Sequence, residues 1–174
     1  VIDDSLYRTP AGEAMYYVLN APTPILPQPE PMFKMSKVAP AHFDNLLKAT
    51  RNIVFVDVNP NKYTQAKINL SRNRWANTQA LANVVAPDEE SLKTLLETSG
   101  TTISDYFIMA ERERMIDFYR SNINAEALRR VYQQFGCKIA VPTSMNKYEK
   151  KDNFLWITNG SALTRQDIVI YTTP

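Results

Sequence analysis

The strongest pattern along the chain is the near-continuous apolar run NIVFVDV at Asn52–Val58. Such a run predicts a strand buried on both faces, central in its sheet. Residues 66–74 (AKINLSRNR) alternate apolar with polar, and residues 79–86 (QALANVVA) are again mostly apolar. Asn59-Pro60-Asn61-Lys62 supplies turn chemistry after the first run. The three strands read as an antiparallel meander. Upstream, Val1-Ile2-Asp3 reads as the end of a strand and residues 32–38 (MFKMSKV) as another. Downstream, residues 138–141 form a strand closed by Pro142, and Phe154–Thr158 pairs with residues 168–172 across a loop at 159–166.

Helical spacing fills the gaps between strands. Thr9 caps a helix that Pro10 opens, with Met15, Val18 and Leu19 as its apolar stripe. That helix stops before Ala21-Pro22, because the residue before a proline avoids helical geometry. Pro40 begins a short helix to about Ala49, turning Phe43, Leu46 and Leu47 inward. Pro87-Asp88-Glu89-Glu90 opens a long helical region, with its acids at the positive end of the helix dipole. Thr98-Ser99-Gly100-Thr101 marks a kink or break, after which Ile103, Tyr106, Phe107 and Ala110 face inward to about Tyr119. Asn124 caps a last helix carrying Leu128, Val131, Tyr132 and Phe135, and Gly136 ends it. Runs of strands followed by runs of helices predict an α+β fold: a mainly antiparallel sheet with helices packed on one face. Residues 1–174 read as a single α+β domain. Because a domain rarely begins in mid-strand, the chain reads as a fragment of a longer one.

The prolines at 22, 24, 27, 29 and 31 sit among apolar residues, which argues against a flexible linker. Prolines at 27, 29 and 31 remove donors from one edge of an extended segment, while Gln28 and Glu30 keep theirs on the other. Residues 26–32 are therefore expected to run extended as a sheet border, unpaired along the donor-poor edge.

Composition narrows the function classes. At 44% hydrophobic and 22% charged, the chain has the balance of a globular protein. A formal charge of +2 is too small for nucleic-acid binding driven by charge. The densest basic group, Lys147, Lys150 and Lys151, reads as a solvated loop. The four glycines are isolated, so no phosphate-cradling loop or dinucleotide fingerprint exists. The lone Cys137 has no metal-ligand cluster around it in sequence and reads as a buried, inert thiol. The single histidine, His42, lies at a helix N-terminus, which disfavours its charged form, and is assigned a surface or packing role. No cofactor is indicated.

Three constellations remain. Asp3, Asp4 and Asp57 gather at one sheet end if the first strand lies parallel to Asn52–Val58, an oxygen-rich set suited to Mg²⁺ or Ca²⁺. Arg72, Arg74 and Trp75 stand at a strand end, either clasping an anion or closing the sheet. Glu111 and Arg114, three apart on one helix, form either a solvated turn or a polar cluster that docks or binds a ligand.

Several segments taken together resemble one family: Ile2-Asp3-Asp4-Ser5-Leu6, LPQPEPMF at 26–33, RNIVFVDV at 51–58, SRNRWA at 71–76, MAERER at 109–114 and NFLWI at 153–157. They are similar to a family of Bacteroidetes envelope proteins known only as a domain of unknown function, whose members are typically predicted lipoproteins. The resemblance implies an envelope location, periplasm-facing or at the surface, with membrane contact only through a lipid anchor upstream of Val1. In that setting Asp4-Ser5-Leu6 matches an acceptor pattern for O-glycosylation. The resemblance carries over no catalytic residue. The leading expectation is a non-catalytic binding or structural domain, with an envelope protein or a glycan-like ligand as partner, held on a concave apolar or aromatic surface around Trp75, Tyr63 or Trp156. The alternative is a metal-assisted hydrolase built on Asp3, Asp4 and Asp57.

Overall fold

The computed structural model describes residues 1–173. The chain forms two compact units, residues 1–112 and 113–174. Each sets helices against a three-stranded sheet, so the fold is α+β, with mostly antiparallel pairing.

The first unit opens with a one-turn helix α1 (Asp4–Tyr7) and helix α2 (Pro10–Asn20). Thr9 accepts the Gly12 N–H at 3.5 Å, and Pro10 occupies the first turn, where its missing donor costs nothing. Two short 3-10 turns, Pro40–His42 and Leu47–Ala49, stand where one short helix is expected. Strands β1 (Asn52–Val58), β2 (Lys67–Arg72) and β3 (Ala80–Ala86) follow. Next come α3 (Glu89–Ser99), capped by Asp88, and α4 (Thr101–Arg120). Gly100 breaks the long helical region in two at the expected place.

The sheet order is β1-β3-β2, which corrects the antiparallel meander. β1 lies parallel to β3, and only β2 runs antiparallel to it. The other edge of β1 is taken by the chain's start: Val1 donates to the Val54 carbonyl and accepts from the Val56 N–H. Val1 thus lies parallel to β1, although residues 1–3 form no ladder of their own. Residues 32–38 also form no strand; Val38 accepts one bond, from Ile2.

Side-chain parity sorts the two faces of this sheet. Val54, Val56 and Val58 of β1 lie level with Ala82, Val84 and Ala86 of β3. With Ala80 they pack against Met15, Leu92, Leu96, Ile103 and Phe107 from α2, α3 and α4. The alanines of β3 let helices approach closely. Removing a helix side chain that packs on them, as in Leu92→Ala, leaves a cavity and costs roughly 2–5 kcal/mol by analogy with other buried leucines.

The proline segment corrects the expected extended border. Residues 21–23 turn back against 30–32: Thr23 donates to Glu30 at 2.8 Å and Met32 to Ala21 at 2.9 Å. Pro22 and Pro31 oppose each other at a position whose N–H groups point away from the partner. The missing donors are therefore not needed, and pairing uses the Glu30 and Met32 side of the segment. Between them the chain turns, with Ile25 fully exposed at φ 73°.

The second unit packs α5 (Ala125–Phe135) against the meander β4 (Lys147–Lys151), β5 (Phe154–Thr158) and β6 (Asp167–Tyr171). Ala127, Val131, Val141, Met145, Leu155 and Ile157 form its core. Asn124 sets the start of the helix: its side-chain oxygen accepts the Ala127 N–H, and its amide donates to Met145 O and the Tyr148 hydroxyl. Gly136 ends it. β4 corrects the solvated loop expected at Lys147, Lys150 and Lys151. Residues 138–141 form no strand; Val141 accepts a single bond from Asn124. Cys137 is exposed, not buried.

One close approach yields a test. A Cβ at Gly12 meets the Leu6 and Tyr7 carbonyl oxygens at 2.5 Å, because α1 runs against the first turn of α2. Backbone cannot yield there as a side chain does. Gly12→Ala is expected to destabilise the protein by about 1–3 kcal/mol, the range for overpacking. Urea unfolding measures it; an unchanged midpoint contradicts the tight α1–α2 contact.

Candidate functional site

The three carboxylates of the metal alternative are engaged separately. Asp3 is the cap of α1, and the Ser5 hydroxyl, followed by the Ser5 N–H, holds its carboxyl below the usual range. Asp4 is lowered chiefly by its hydrogen bond to Lys37. Asp57 is lowered chiefly by Lys62, at 2.8 Å, and next by the Tyr63 hydroxyl, at 2.7 Å. Lys62 is raised in turn by the same contact. Among the described residues no group of three or more His, Cys, Asp and Glu side chains comes together to hold a metal ion. Ser5 is exposed, with its hydroxyl donating to Asp3. His42 is exposed at the end of its 3-10 turn.

Arg72, Arg74 and Trp75 lie at and just beyond the end of β2 but turn to different partners. Arg72 stacks on Tyr106 at 4.6 Å, and the Tyr106 hydroxyl donates to Ser71 O. Arg74 stacks on Trp75, also at 4.6 Å. Trp75 packs with Phe43 and Phe55, at ring separations of 5.6 and 5.8 Å. This trio covers part of the sheet face opposite the helices. Buried Gln79 fixes it: the side-chain amide donates to Lys48 O and Thr50 O, and its oxygen accepts the Trp75 N–H. Glu111 accepts from Asn52 at 2.7 Å and lies 3.7 Å from Arg51, at the start of β1. Arg114 is half-buried one turn further along α4.

The second unit holds a groove that sequence reasoning reached only through Trp156. Register places Glu149, Trp156 and Val169 abreast on the sheet face away from α5, with Lys147 opposite Thr158. The groove has a volume of about 530 Å³ and is lined by Lys147, Glu149, Trp156, Ser161 and Arg165, among others. It is an open concavity on the sheet face rather than an enclosed cavity. The Trp156 ring is locked twice: its N–H donates to Asp167 at 2.9 Å, and Arg165 stacks over it at 5.2 Å. Arg165 is held by Asp167 at 2.9 Å. The loop from β5 to β6 satisfies its own polar groups, with Thr158 bonded to Gln166 O and the Gly160 N–H, and the Ser161 hydroxyl capping Leu163 and Thr164. The lysine-rich β4 gave no sequence signal for this site, since it has only one inward apolar residue, Tyr148.

Asp57 offers a pH test. Its pKa is depressed in the folded state, so its contribution is present above the unfolded value and lost as pH falls through the folded one. The stability difference between wild type and Asp57→Asn is expected to be constant above about pH 4, the ordinary aspartate range, and to shrink below it. Denaturant unfolding at stepped pH measures this; a pH-independent difference contradicts the Asp57–Lys62–Tyr63 contact.

No helix among the described residues is long and apolar enough to cross a membrane. No curated protein and no solved structure matches the chain. Two family models do: Domain of unknown function (DUF8532) over residues 1–120, and Domain of unknown function (DUF4837) over residues 124–174. Their junction falls close to the division between the two compact units. With the first model covering more than half of its length, the chain belongs to the DUF8532 family.

Proposed function

We propose that this chain is a non-catalytic binding domain of an envelope lipoprotein, and that its ligand is a glycan seated on Trp156. The observation that carries the reading is the open groove of about 530 Å³ that Trp156 lines together with Lys147 and Glu149. The Trp156 indole is fixed at its N–H by Asp167 and carries Arg165 over one face, so a ligand meets the ring surface that Arg165 leaves uncovered, with little ordering cost at binding. Sugar rings present such a flat C–H face, with hydroxyls at the edge for polar partners. Lys147 and Glu149 supply a donor and an acceptor at the rim. The envelope setting and the upstream lipid anchor are supported by the segments quoted above. Feeding cells a clickable fatty acid tests that part: label is expected on the full-length protein, and its absence contradicts the anchor.

The binding reading is tested by tryptophan fluorescence. The chain has two tryptophans, so Trp75→Phe leaves Trp156 as the sole reporter. Titration with neutral and acidic tetrasaccharides is expected to give a saturable change for at least one. Trp156→Ala, checked for folding by circular dichroism and titrated by calorimetry because it lacks the reporter, is expected to weaken binding by about 1–3 kcal/mol, the scale of a lost aromatic anchor. No saturable change with any of them contradicts the proposal.

A further inference from the structure

We infer that the groove selects an acidic sugar, a hexuronate whose carboxylate is received by Lys147. The inference rests on the glycan reading above and sharpens it. Two cations line the groove, and they differ in how they are used. Arg165 is neutralised by Asp167 and stacked on Trp156. Lys147 has no carboxylate within ion-pair distance among the described residues.

The Lys147 side chain runs over Gly160, where the missing Cβ leaves room for it. Its Cδ, Cε and Nζ lie against Gly160, where any Cβ would collide with them. Gly160 also holds φ at 59°, which other residues rarely adopt. Gly160 thus serves the turn and leaves the lysine room beside it. Glu149, the next residue on the same face of β4, makes no ion pair with it among the described residues. It is placed to accept hydroxyl hydrogens instead. The loop's own polar groups are largely spent on one another, so Lys147 is the available donor. An uncompensated ammonium beside an aromatic platform complements a ring bearing a carboxylate. A neutral sugar leaves that ammonium without a counter-charge.

The test compares cellotetraose with its counterpart oxidised at C6 to β-1,4-linked glucuronic acid, titrated into the whole chain at low salt. The acidic tetramer is expected to bind about tenfold more tightly, the scale of one charge-assisted hydrogen bond. Lys147→Met is expected to bring its Kd to that of cellotetraose, and Lys147→Arg to keep most of the difference. Lys147 is exposed, and a thermal melt confirms that both variants fold. Equal affinity for the two tetramers, or an acid preference that survives Lys147→Met, overturns this inference and leaves the glycan reading standing. Binding of neither overturns both.

Discussion

A three-stranded sheet covered by helices on one side has a second face to account for, and that constraint organises both units. A strand's side chains alternate, so an apolar inner face comes with an outer face of equal area. In the first unit the inner residues Val54, Val56, Ala82 and Val84 meet the helices. The outer face is partly closed by Phe43 and Trp75, brought over Phe55 by the loops that Gln79 anchors. In the second unit α5 covers Leu155, Ile157, Ile168 and Ile170, and the outer face stays open around Trp156. Both outer faces keep some aromatic surface, and in the second unit that surface lines a groove with Lys147 and Glu149.

That difference decides where binding chemistry resides. Trp75 packs on Phe43 and Phe55 and carries Arg74 on its ring, yet stays 38% exposed. Trp156 is fixed from its edge by Asp167 and stacked by Arg165, yet still lines an open groove. The carboxylates follow a similar logic: Asp3, Asp4 and Asp57 each serve a cap or a cation in their own neighbourhood.

Much of the fold was legible because local chemistry and final structure agree. Thr9-Pro10, Asp88 and Asn124 start helices where caps predict, and Gly100 and Gly136 end them. Strand direction was not legible. The apolar pattern of residues 79–86 fits either sense, and β3 lies parallel to β1 because β2 is placed beyond it. β4 escaped because KYEKK needs only Tyr148 inward to earn its place. The prolines were half legible: their missing donors do face away from the pairing edge, but the chain turns between 24 and 28 and pairs with itself. Of the groove, only Trp156 stood out in sequence. Its partners arrive from β4 and the loop before β6, a convergence that register alone creates.

The central claim is that the open face of the second sheet is the ligand surface. Its most direct test is an amide and indole NMR titration of the whole chain with glucuronic acid tetramer. The account predicts that the Trp156 indole N–H and the amides of Lys147 and Ser161 shift together, while the Trp75 indole stays fixed. Shifts centred on Trp75, or none at all, would contradict it.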